Sequence, residues 1–100
     1  MAVKILIKRK FKNGNLRMAA RLLINNRNGA MQQPGYISSE TLSDLDDPGK
    51  VVVVAMWQSS EDWKNWKNSA ERAEFEAEMS KLQDGPTEFE TYALGMQLES

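Results

Sequence analysis

Apolar residues recur along this chain with two periods, and the switches between them divide it into six elements. Val3, Ile5, Ile7 and Phe11 alternate with Lys4, Leu6, Lys8 and Lys10, which predicts a first strand over Val3 to Phe11 with one covered face. Lys12-Asn13-Gly14-Asn15 then makes a turn, with Asn15 placed to cap a helix. From Leu16 to Gln33 the spacing of Leu16, Ala19, Ala20, Leu23, Ala30 and Met31 is helical. Asn25, Asn26, Arg27 and Asn28 are weak helix formers, and Gly29 costs about 1 kcal/mol relative to alanine, so an irregularity is expected there. Gln33-Pro34-Gly35 ends the helix, because a residue before proline is steered out of the α region.

Tyr36 to Asp44 reads as a second strand with little apolar content. Leu45 to Gly49 is a hairpin-type loop. Val51 to Trp57 is the strongest strand signal, apolar at every position. Ser59, followed three residues later by Asp62, opens a helical region. That region breaks at Asn68-Ser69, where Ser69 caps a second segment bearing Arg72, Phe75, Met79 and Leu82 on one stripe. Asp84-Gly85-Pro86 stops it, Thr87 to Gly95 is the last strand, and the final five residues form a tail that is frayed or touches a partner.

The order strand, helix, strand, strand, helix, strand predicts a ferredoxin-like βαββαβ α+β fold. Its four-stranded antiparallel sheet has the first and third strands at the centre, and two helices on one face, the second broken. Those helices cover only one face of the third strand. Val51, Val53, Ala55 and Trp57 point one way; Val52, Val54 and Met56 point the other and need a cover. A second copy of the same sheet is the simplest cover, so a homodimer is expected.

At 100 residues the chain is expected to be one domain over 1–100. Thirteen basic and 14 acidic residues leave a net charge of −1, which gives no field for nucleic acid or an anionic membrane. The chain holds no cysteine and no histidine. Disulfides, thiolate metal sites, a cysteine nucleophile and a Ser-His-Asp triad are thereby excluded, and the commonest metal and haem ligand is missing. Lys8, Arg9 and Lys10 follow the apolar start rather than precede it, unlike a signal peptide, and no run approaches a membrane span, so the cytoplasm is the expected location.

Four junctions together resemble the antibiotic biosynthesis monooxygenase family of the dimeric α+β barrel superfamily. They are Gln33 to Ile37 with Glu40-Thr41-Leu42; Trp57 to Trp66; Asn68 to Arg72; and Phe89 to Tyr92. The resemblance implies a dimer and a small aromatic ligand between sheet and broken helix. Activity in such a protein is either cofactor-independent oxidation of a phenol or quinol by O2, haem degradation, or none. In the haem-degrading branch the match to Trp66 lines a pocket, a ligating histidine falls at Phe75 or Glu76, and an asparagine falls at Lys8 or Arg9. Neither of those two groups is present, which leaves Tyr36 and Tyr92 as the phenolic iron ligands on offer. The phenol-oxidising branch has an asparagine where this chain has Val53, a tryptophan matching Trp57 and a tyrosine where Trp63 stands.

The expected ligand-binding residues are therefore Trp57, Trp63 and Trp66 as a wall, with Arg72 or Tyr36 as the polar contact, and no cofactor or metal. The plainer reading makes the indoles core filling, pairs Arg72 with Glu76, and makes the scattered methionines core. Lys8, Arg9, Lys10 and Lys12 read as a solvated basic edge or as partners of Glu88 and Glu90. No catalytic base stands out; Tyr36, Tyr92, Glu40 and a buried lysine are the titratable candidates.

Overall fold

The computed structural model describes residues 1–98. Its elements are β1 (Val3–Lys10), α1 (Leu16–Met31), β2 (Tyr36–Ser43), β3 (Lys50–Trp57), α2 (Ser60–Lys67), α3 (Ala70–Ser80) and β4 (Glu88–Ala93). The sheet is antiparallel with order β2-β3-β1-β4, which puts β1 and β3 in the centre as the pattern predicts. The helices lie on one face, and the architecture is the ferredoxin-like α+β fold.

Register explains the burial. On β1, Val3, Ile5 and Ile7 sit opposite Trp57, Ala55 and Val53 of β3, and this face is covered by helices. Two apolar clusters fill the layer. One gathers Val3, Ile5, Ile7, Ala30 and Ala55 around Trp57, Trp63 and Trp66; the other joins Phe11, Ala19, Val51 and Met79. The opposite face carries Leu6, Val52, Val54 and Met56, each half-buried, with no helix over it.

The break in the second helix is set by its caps. Ser59 Oγ accepts from the Asp62 amide at 3.1 Å and opens α2. Ser69 Oγ accepts from the Arg72 amide at 3.2 Å and opens α3. Each cap satisfies an amide that the first helical turn leaves without a partner. Asn15, by contrast, caps α1 by position only, with no side-chain hydrogen bond.

Three expectations need correction. The first is α1, which runs unbroken through Asn25 to Gly29. A Cβ at Gly29 would sit 2.4 Å from Glu71 Oε2 and 3.0 Å from Trp66 Cη2. The glycine is therefore the point where α1 approaches the broken helix, and packing outweighs its low propensity. The second is the methionine set. Met79 is fully buried, but Met18, Met31 and Met96 are 59%, 50% and 84% exposed. The inward stripe of α1 runs through Ala19, Leu23 and Ala30, and Met18 and Met31 fall off it. The third is Arg9. It shares the parity of Ile5 and Ile7, points toward the helices and is 3% exposed. It does not belong to a solvated edge. Lys8 does, and pairs with Glu90 at 2.9 Å; Lys10 pairs with Asp47 at 2.6 Å. Of the expected tail, residues 96 to 98 are exposed and without regular structure, and 99 and 100 lie outside the described residues.

Candidate active site

Between the sheet and the helices lies a cavity of about 40 Å³. Trp57, Trp63, Trp66, Arg72 and Tyr36 all line it. Their positions follow from local structure. Trp57 ends β3 on the covered face, opposite Val3 on one side and Tyr36 on the other. Trp63 and Trp66 lie three residues apart in α2, so both turn inward on one helical face. Arg72 is held in the first turn of α3 by the Ser69 cap. Gly35, at φ +86°, makes the turn that presents Tyr36. Its carbonyl accepts from the Gln58 amide at 2.7 Å, and a Cβ there would strike Asp62 at 2.3 Å.

The aromatic groups form a chain of contacts. Tyr36 meets Trp57 edge-on with centroids 5.5 Å apart; Trp57 and Trp63 are 6.1 Å apart, as are Trp63 and Phe89. The Arg72 guanidinium lies 5.3 Å from the Trp63 ring and 5.4 Å from Phe89, within cation–π range of both. The indoles are 1% to 3% exposed, so they are core side chains as well as cavity walls. At about 40 Å³ the cavity is water-sized, well below the roughly 300 Å³ of a small-molecule pocket. An apolar groove of about 330 Å³ adjoins it and shares Leu23, Arg27 and Thr41 with its lining.

The polar lining is unusual in composition. Arg9, Arg27 and Arg72 contribute to it, and no aspartate or glutamate does. Behind it, Glu76 accepts a short hydrogen bond from Arg9 Nη2, and the same Oε1 lies 3.0 Å from Arg72 Nη2. The second contact satisfies ion-pair distance but not hydrogen-bond direction, so Arg72 Nη2 remains without a hydrogen-bond partner. Thr87 Oγ1 donates to the other oxygen of Glu76 at 3.4 Å and accepts from Gln83 Nε2 at 3.0 Å. Burial pushes Arg72 down to about 10; Glu76 opposes the shift and Arg9 adds to it. Tyr36 is tied up in a 2.7 Å hydrogen bond with Ser39.

Among the described residues, the buried side-chain atoms lacking a hydrogen-bond partner are Arg9 Nε, Asn26 Oδ1, Trp57 Nε1, Arg72 Nε and Arg72 Nη2. All belong to residues that line this one cavity. Each such atom costs about 1–3 kcal/mol when desolvated and unpaired, and their concentration makes this cavity the candidate site.

Sequence reasoning missed Arg9, Asn26 and Arg27. Arg9 had a visible signal in its strand parity. Asn26 had one in its spacing of three from Leu23 and four to Ala30. Arg9 and Glu76, each one of the two positions at which the resemblance places the haem-degrading branch's asparagine and histidine, form an ion pair.

The four-stranded antiparallel sheet with its helices on one face, the second of them broken, makes this a ferredoxin-like α+β domain. Within that class the assignment is direct: the model of the antibiotic biosynthesis monooxygenase family matches residues 2–78, and the chain belongs to that family. No curated protein matches the sequence. Among solved structures the chain is similar to SnoaB, a cofactor-independent oxygenase from Streptomyces nogalater, at 13% identity and a TM-score of 0.86, over 99% of this chain and 98% of that one. It is also similar to a conserved protein from Methanosarcina mazei, at 17% identity and a TM-score of 0.86, over 92% and 91% of the two chains. At these identities the likeness establishes the fold. No helix among the described residues is long and apolar enough to cross a membrane.

Proposed function

We propose that this protein is a monooxygenase of its family's type that oxidises a flat phenolic or quinol-like molecule with O2, without a cofactor of its own, and works as a homodimer in the cytoplasm. The observation that carries the reading is the convergence of Trp57, Trp63, Trp66, Tyr36 and Arg72 on one cavity. The chemistry suits a chain without histidine or cysteine, because the substrate supplies every electron. A methylene activated by neighbouring aryl rings loses a proton, and the carbanion passes one electron to O2. Recombination forms a C–O bond, and the resulting peroxide loses water to leave a carbonyl. One oxygen atom enters the product and the other leaves as water, so no external reductant is needed. The protein's part is to hold the ring with its reacting end toward the indole-lined cavity, exclude water and stabilise negative charge.

The ring does not fit the 40 Å³ cavity alone. Its body belongs in the adjoining groove, with the reacting end at the shared boundary of Leu23, Arg27 and Thr41. The homodimer rests on the uncovered face, where Leu6, Val52, Val54 and Met56 form a half-buried apolar strip.

A second reading, a non-catalytic binding protein of the same fold, is favoured by two observations. Val53 stands where the phenol-oxidising relatives have an asparagine, and the Tyr36 hydroxyl is engaged by Ser39. Titration with naphthols and quinols, following tryptophan quenching and O2 uptake together, separates the two. Quenching with uptake above autoxidation, reduced in Trp66→Phe, supports the oxygenase. Quenching without uptake supports the binding protein. Phenylalanine is the substitute because Trp66 is core, and alanine there would cost about 3–5 kcal/mol of stability.

A further inference from the structure

We propose that the cavity is an anion site, and that the ligand is bound as a flat aromatic molecule carrying one ionised oxygen received by the unsatisfied donors of Arg72. This deepens the reading above and rests on the cavity being the ligand site.

The case comes from charge and from donor count. The chain as a whole is slightly acidic, at −1. Its cavity is lined by three arginines and no carboxylate. Two of these, Arg9 and Arg72, are 3% exposed and share a single counter-ion, Glu76. Two guanidinium groups against one carboxylate leave one positive charge unopposed inside the protein, with Arg27 from α1 adding a third cation at the rim. The other titratable group lining the cavity is Tyr36 of β2, whose hydroxyl is hydrogen-bonded to Ser39.

The unpartnered atoms point the same way. Four of the five are donors, on Arg9, Trp57 and Arg72; the one acceptor is Asn26 Oδ1. A donor-rich, positively charged, buried cavity is satisfied by an acceptor bearing negative charge. Arg72 Nε has no acceptor, and Nη2, in ion-pair contact with Glu76, makes no directed hydrogen bond, so the guanidinium keeps donors for an oxyanion. Arg9 and Glu76 are positioning residues: Glu76 Oε1, engaged by Arg9, lies 3.0 Å from Arg72 Nη2 without a directed hydrogen bond and leaves Nε with no acceptor.

One consequence concerns the proton. Where the activated methylene is the keto form of the bound phenol, the phenolate and the carbanion are one and the same anion, and its proton is left in bulk water on binding. The site then needs no side-chain base, which accounts for oxidation in a cavity that offers none.

The test compares isosteric ligands on the intact protein. The account predicts that 2-naphthoate quenches tryptophan fluorescence at about tenfold lower concentration than neutral 2-naphthamide. It predicts that 4-nitrophenol at a fixed pH below its own pKa gains phenolate absorbance on addition of protein. Preference for naphthoate alone identifies a carboxylate ligand, and ionisation of nitrophenol identifies a phenolate; either supports the site. Arg72→Lys keeps the charge but loses the planar edge, and should lower the preference several-fold. Arg27→Gln, on the exposed rim, tests the field without touching the core, and should weaken naphthoate but not naphthamide. Equal affinity of the two naphthyl ligands with no ionisation of nitrophenol overturns the anion site and leaves the aromatic site standing. Absence of binding by all of them overturns both.

Discussion

Arg72 and Glu76 lie one helical turn apart in α3, with Nη2 and Oε1 separated by 3.0 Å, yet they form no directed hydrogen bond, because that oxygen is already engaged by Arg9. A carboxylate reached from β1 thus leaves an arginine of α3 with unsatisfied donors inside the protein.

The asymmetry of this triad gives a stability prediction. Glu76→Gln removes the only carboxylate facing two buried guanidinium groups and should destabilise the fold by about 3 kcal/mol. Arg9→Met removes one of the two competing cations and should cost under about 1 kcal/mol. Urea unfolding of both variants checks the order; an Arg9→Met variant less stable than Glu76→Gln contradicts it.

Gly29→Ala places a methyl against Trp66, which is 3% exposed and cannot move aside, and against Glu71, which can. The helix-propensity gain of about 1 kcal/mol should be lost and reversed into a net cost of about 1 kcal/mol. Thermal unfolding reads the sign directly, and a stabilised variant would show that close approach is not why α1 carries glycine there.

Lys8 holds the Glu90 carboxyl below its ordinary value of 4.5, and Lys10 holds Asp47 below 3.8. Both groups bind fewer protons folded than unfolded at mildly acidic pH. Their contribution is therefore complete above the unfolded values and lost as pH falls through the folded ones. Stability should decline from about pH 5 downward, and Glu90→Gln should make the decline shallower. Denaturation midpoints measured across that range check it; parallel curves for the two proteins would contradict it.

The uncovered sheet face yields a prediction about assembly. Val54→Glu introduces a charge at the centre of the apolar strip opposite Leu6 and should convert a dimer to a monomer in sedimentation velocity. Unchanged sedimentation, or a monomeric parent protein, removes the sheet-to-sheet dimer.

Much of this was legible in the sequence because it depends on local pattern. Ser59 and Ser69 each precede an amide they cap, so the broken helix could be read from neighbours three residues apart. The two-faced apolar run of β3 announced both the core and the uncovered face. The charge distribution of the site was not legible. Arg9 sits in a Lys-Arg-Lys run that looks solvated, and its partner Glu76 is 67 positions away. Only the closed fold shows that they meet, and only then does Arg72 emerge as short of a partner. The approach of α1 through Gly29 was hidden for the same reason: propensity is local, whereas the contact with Trp66 is not.

The central claim is oxygenation at this cavity, and isotope incorporation tests it most directly. Purified protein, a naphthol with a free para carbon and oxygen-18 gas should give product carrying one labelled oxygen per molecule, none from labelled water, and a rate that falls in Arg72→Lys. Label arriving from water, or incorporation no faster with protein than without it, would contradict the account.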